Sequence, residues 1–211
     1  MTCLPRRLFS ISAVAFLLIA SALCVSAQSN GVALNVRPLR DLADRLRTEI
    51  QAKRLEPSAP FTVEIQAAIL ENGRLDVKAT KVVRAEGDKA VVSAVTDSFA
   101  AITDAGFLRY IRDLGAGDCA VSISQSESEF LASTSFALET ENQARSISGL
   151  LAAALKAVDW KRSGREMDEN DKDERWLAEG TSVKSEGKNV TVSLRRPAEE
   201  FRAILLRRLA I

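Results

Sequence analysis

The sequence predicts an α+β fold: an antiparallel sheet of about six strands with helices on one face. Three observations lead there. Alternating apolar and polar residues recur in pairs of short runs separated by turn residues. Each pair is followed by a stretch with helical apolar spacing, so the order is β-β-α three times. The expected helix starts, Asp88, Thr140 and Pro197, lie at similar intervals. Consecutive hairpins favour antiparallel pairing, and one-sided alternation places the helices on a single face.

The first residues belong to a different segment. Arg6 and Arg7 precede an apolar run from Leu8 to Val25, and Val25-Ser26-Ala27 has the form of a signal peptidase site. Residues 1–27 therefore read as a secretory signal peptide, with Gln28 as the new N-terminus. The competing reading is an uncleaved anchor, because the run just reaches bilayer length. Its Ala- and Ser-rich composition and the cleavage site that follows favour removal. Leu23 before Cys24 does not suit lipid attachment. Removal leaves 184 residues and takes away two arginines and no acid, so the net charge falls from +1 to −1. The expected location is periplasmic or extracellular. A near-neutral chain does not fit nucleic-acid binding, which needs a basic face. Membrane contact after cleavage is not expected either, since no second apolar run is long enough to span.

Leu39, Leu42, Ala43, Leu46 and Ile50 repeat at helical spacing, which predicts an amphipathic helix over Pro38–Arg54. With the linker Glu56-Pro57-Ser58-Ala59-Pro60 it forms an N-terminal unit, 28–58, ahead of an α+β domain, 59–211. Four large apolar side chains on one stripe must cover something: the chain's own domain, a second copy or a partner. From Phe61 the period becomes two: Phe61, Val63, Ile65, Ala67 and Ile69 form one strand face. Asn72-Gly73 turns the chain, and Leu75, Val77 and Ala79 continue. Val82 and Val83 are adjacent, so the alternation slips, which predicts a bulge near Lys81. Asp88 caps the next helix. Its stripe Val91, Val95, Phe99 and Ile102 is interrupted at Thr103–Gly106 before Phe107, Leu108 and Ile111 resume, predicting a kink or two helices. Cys119, Val121 and Ile123, then Phe130, Ala132, Thr134, Phe136 and Leu138, make the second hairpin. Thr140 and Gln143 match a capping box. Lys161–Glu174 reads as an exposed loop, with a short helix near Trp176 and Leu177. Val183 and then Val190, Val192 and Leu194 flank a turn at Glu186-Gly187-Lys188, and Pro197 starts the last helix.

The chemistry is defined by what is missing. There is no histidine, which removes Ser-His and Cys-His nucleophile systems and the commonest transition-metal ligand. Once Cys3 and Cys24 leave, Cys119 has no partner for a disulfide. Its parity with Val121 and Ile123 predicts a buried, inert thiol. Ser185-Glu186-Gly187-Lys188 spells S-x-x-K, but that motif works at a helix start and here falls on a hairpin turn. Asp168, Glu169, Asp171, Asp173 and Glu174 are acidic enough for calcium. Lys172 occupies a ligand position and no glycine follows, so the run reads as a solvated face. No phosphate or dinucleotide loop occurs. No residue is assigned a catalytic, cofactor-binding or metal-binding role, and no cofactor is expected.

Phe61-Thr62-Val63-Glu64-Ile65, Asn72-Gly73-Arg74-Leu75, Lys81-Val82-Val83-Arg84 and Gly87-Asp88 with the helix from Lys89 resemble the periplasmic C-terminal domain of TonB-type energy transducers. The resemblance covers residues 60–125. The first residue pair departs from the family: Ala59-Pro60 stands where Tyr-Pro is usual. The resemblance implies a strand–turn–strand–helix–strand unit that binds by adding a strand to a partner. The expected function is an exported, non-enzymatic protein- or peptide-binding module, with a protein partner or a homo-oligomer. The alternative is an exported hydrolase or lyase that uses carboxylates or a lysine without histidine.

Overall fold

A computed structural model of the chain describes residues 35–160 and 168–211; the expected signal peptide and residues 161–167 of the polar stretch lie outside the described residues. In chain order the elements are α1 (Arg37–Gln51), β1 (Phe61–Ile69), β2 (Leu75–Gly87), α2 (Lys89–Asp104), α3 (Leu108–Asp113), β3 (Asp118–Gln125), β4 (Glu129–Ala137), α4 (Glu141–Trp160), α5 (Glu169–Glu179), β5 (Thr181–Glu186), β6 (Asn189–Pro197) and α6 (Ala198–Arg208). The fold is α+β, and the six strands form one antiparallel sheet in the order β2-β1-β3-β4-β6-β5.

Alternation explains the strands. Val63, Ile65 and Ala67 of β1, Val121 and Ile123 of β3, Phe130 and Phe136 of β4, and Val190, Val192 and Leu194 of β6 all point to one face and are buried. The helices cover that face. The opposite face carries short polar residues: Glu64, Ser122, Ser133, Ser193 and Ser182 lie directly opposite one another in one row across five strands. The β3–β4 hairpin is the middle of the sheet, closed by a tight turn in which Ser126 N–H donates to the Glu129 carbonyl. The three β-β-α units do not repeat in space. β1 and β3, the first strands of the first two hairpins, pair together. The third hairpin enters reversed, so that its second strand β6 pairs with β4 and β5 becomes an edge.

Helix starts follow their capping residues. Asp88 accepts from the N–H groups of Ala90 and Val91. Thr140 accepts from Gln143 N–H, but the Gln143 amide donates to the Leu114 carbonyl at the end of α3 instead of returning to its own cap. The interruption at Thr103–Gly106 separates α2 from α3, with Gly106 at positive φ. Helix α1 buries Leu39, Leu42 and Leu46 against α2 and shares one continuous core with the sheet. Its apolar stripe therefore docks on the chain's own domain.

The expectation of an exposed loop through Glu174 fails from Glu169 onward. Asp168 caps α5 by accepting from Asp171 N–H, so the acids occupy helical positions. Asp171 and Asp173 are buried, at 5% and 3% exposure. Asp173 binds two arginines of the last helix region: Arg208 Nε donates to its Oδ2 at 2.9 Å, and Arg207 Nη2 pairs with Oδ1. Three residues further along the same face of α5, the Arg196 guanidinium lies over the Trp176 ring, 4.5 Å from its centroid. Burial lowers the pKa of Arg196. Gly180 leaves room for that side chain, since a Cβ there would stand 2.2 Å from Arg196 Nε.

Candidate functional site

The motifs weighed for catalysis are scattered. Ser185 sits opposite Val190 in β5, and Lys188 lies in the exposed turn beyond it, so no helix brings the two together. Cys119 is buried beside Val121 and Ile123 on the core face. Burial first, and the neighbouring Asp118 charge second, push its thiol up to about 12. A thiol so placed stays protonated and is a poor nucleophile. Among the described residues no three His, Cys, Asp or Glu side chains converge as a metal site, and no helix is long and apolar enough to cross a membrane.

What the fold leaves open is an edge. β2 is the longest strand and pairs on one side only, with β1. Ten of its thirteen residues are exposed, including three valines: Val77 at 79%, Val82 at 50% and Val83 at 56%. An outer row of backbone N–H and C=O groups beside exposed apolar side chains is a template for a further strand.

Two irregularities shape this edge. Between Asp76 and Lys81, β2 carries three more residues than the facing stretch of β1. Local bonds hold that bulge: Asp76 Oδ1 accepts from Lys78 and Ala79 N–H, and Thr80 Oγ1 accepts from Ala68 N–H. A second, single-residue bulge falls at Val83, where Arg84 faces Glu64 and Val82 faces Ile65. This is the bulge that the adjacent valines predict. Beyond it, Arg84–Gly87 runs in step with Phe61–Glu64. Gly87 ends the strand at φ +107, a conformation reserved for glycine, and a Cβ there would come within 2.3 Å of the Pro60 carbonyl oxygen.

Charges line the open face of this stretch. Arg84 Nη2 donates to Glu86 Oε2 at 2.6 Å, and Arg84 Nη1 lies 3.7 Å from Glu64. The hydrogen bond to Arg84 lowers the pKa of Glu86, and the same bond raises that of Arg84. Arg84 and Glu86 are exposed and Glu64 is half-buried, so the network contributes little to stability.

The opposite edge, β5, is six residues long and in regular register; it exposes Ser182, Lys184 and Glu186 but no large apolar side chain. On the helix-free face, Ala79 of the larger bulge walls a shallow cavity of about 490 Å³ lined by Gln66, Ala68, Asp118, Ala120 and Ser135. The sequence flagged one bulge of β2. It did not flag its edge position, which depends on where β3 pairs. Compared with family models, with curated proteins and with solved structures, the chain matches none of them.

Proposed function

We propose that the chain is an exported, non-enzymatic module that binds a protein or peptide by strand addition at β2. The observation that carries this reading is the unpaired outer edge of β2, with Val82 and Val83 exposed beside a regular stretch, Arg84–Gly87. Strand addition needs an open edge for main-chain bonds and side chains flanking it for selectivity. The resemblance of residues 60–125 to the TonB-type domain supports the same mode. Strands β1, β2 and β3 and helix α2 fall within that range. Export rests on the leader at residues 1–27, so N-terminal sequencing of the secreted protein returns Gln28; recovery of Met1 would reject this part of the reading.

The edge is tested with a photo-crosslinking amino acid placed at Val82, and at Ser182 on β5 as the control, in the exporting cell. The expected result is a discrete cross-linked species from Val82 alone, abolished by Val83→Lys, because an added lysine guards an edge against pairing. Equal cross-linking from both positions, or none from Val82, removes the proposal.

A further inference from the structure

Strand addition at β2 has an occupant that the strand itself specifies. We infer that β2 pairs with β2 of a second copy, antiparallel about a twofold axis through Ala85, joining two sheets into one. This rests on the reading of β2 as a strand-addition edge.

A twofold axis normal to a sheet returns each strand antiparallel to itself and keeps the two faces distinct. Directly opposed residues must then share a face. Arg84 and Glu86 lie on the helix-free face, opposite Glu64 and Thr62, whereas Ala85 faces the core side, opposite Val63. Only registers centred on a residue satisfy that condition. Centring on Arg84 sets Arg84 against its own copy, and centring on Glu86 does the same for the acid. Centring on Ala85 sets Arg84 against Glu86 of the second copy, twice. Each Arg84 then lies between Glu64 of its own chain and Glu86 of the other. Opposite charges directly across a strand pair are favourable, and like charges so placed are unfavourable.

The shape of the strand selects the same centre. The single-residue bulge at Val83 and the positive-φ Gly87 bound the regular stretch, and the residues between them, Arg84–Glu86, are centred on Ala85. In this register the exposed Val83 faces Gly87 of the copy, which has no side chain to obstruct it. Ala85, at the axis, meets Ala85. The larger bulge at Asp76–Lys81 keeps the rest of the strand out of the pairing, so the contact is short and the dimer is weak and concentration-dependent. β5 has the same residue order in Lys184-Ser185-Glu186, but without exposed valines. Pairing of β2 with β5 of another copy would leave edges free and grow an open chain.

Sedimentation velocity of the mature protein over a hundredfold concentration range tests the inference. A monomer–dimer equilibrium is expected. Arg84→Glu and Glu86→Arg each weaken it by about tenfold or more, since each sets like charges face to face. An equimolar mixture of the two variants restores the dimer as a one-to-one species, because the acids of one chain then face the bases of the other. Circular dichroism on each variant checks that the exposed substitutions leave the fold intact. A dimer that both variants preserve, a mixture that stays monomeric, or assembly beyond the dimer overturns the inference. Wild-type protein that stays monomeric while Val82 still cross-links to another protein overturns self-pairing and leaves strand addition standing. Absence of any cross-link from Val82 overturns both.

Discussion

Cys119 shows how one buried side chain sets a pH response. Its thiol is held up to about 12, mostly by burial, while a cysteine in an unfolded chain titrates near 8.5. The folded state therefore keeps a proton that the unfolded state releases. This contribution to stability is fully present below about pH 8.5 and is lost progressively as pH rises toward the folded value. Raising the pH from 7 to about 10 is expected to cost about 2 kcal/mol through this residue. Denaturant unfolding of the native chain and of Cys119→Ala at both pH values measures it: the loss is larger in the native chain, and equal losses would contradict the assignment. Asp173 makes a second test at the same scale. It is almost wholly buried between Arg207, half-exposed, and Arg208, which is 10% exposed. Removing one partner of a buried ion pair leaves the other in a poor environment. Asp173→Asn is expected to lower stability by about 3 kcal/mol, read as a shift in urea midpoint with an unchanged slope.

Helix α1 carries the test for whole elements. Leu39, Leu42 and Leu46 are buried on α2, and Leu55 in the following linker is buried with them. A fully buried leucine is worth about 1.5–3 kcal/mol, so the four contribute on the order of 6 kcal/mol or more before ordering entropy is subtracted. That is comparable with the whole stability of an ordinary domain. A chain beginning at Ser58 is expected to lose its cooperative thermal transition, and Leu42→Ala alone to cost about 2–5 kcal/mol. A truncated chain with an unchanged thermal midpoint would show that α1 is an ornament. Such elements were legible in the sequence where the signal is local. Period-two runs marked the strands, Asp88 and Thr140 marked helix starts, and the Val82-Val83 pair marked a bulge. The failures were non-local. The acids of α5 read as a solvated loop because Arg207 and Arg208, which neutralise Asp173, lie 34 and 35 residues further along. Gln143 read as half of a capping box because its partner, the Leu114 carbonyl, lies on another helix. The larger bulge of β2 is held by Asp76 and Thr80, residues that equally suit a plain strand and turn. The binding edge was hidden for the same reason: exposure of β2 is decided by β3 pairing with β1 from the other side.

At the scale of the molecule, the tight turn at the middle of the sheet has a consequence for how the chain is put together. Residues before Ser126 supply α1, α2, α3 and the adjoining strands β2-β1-β3; residues after Ser128 supply β4-β6-β5 with α4, α5 and α6. Each set is contiguous along the chain, and among the described strands only the β3–β4 ladder crosses between them. Severing the backbone within Ser126–Ser128 therefore leaves every other strand pair within one piece. The two polypeptides are expected to reassociate when mixed, because the ladder and the apolar contacts beneath it survive the cut. Phe61 and Val91 of one piece line the same crevice as Phe130 and Phe201 of the other. Reassembly becomes bimolecular, so its rate scales with concentration, whereas each hairpin closes locally and fast. A cut between β1 and β2, by contrast, would leave β2 on a piece separate from its pairing strand β1. Fused to two reporter halves, the pieces would make a split system whose signal depends on one hairpin seam.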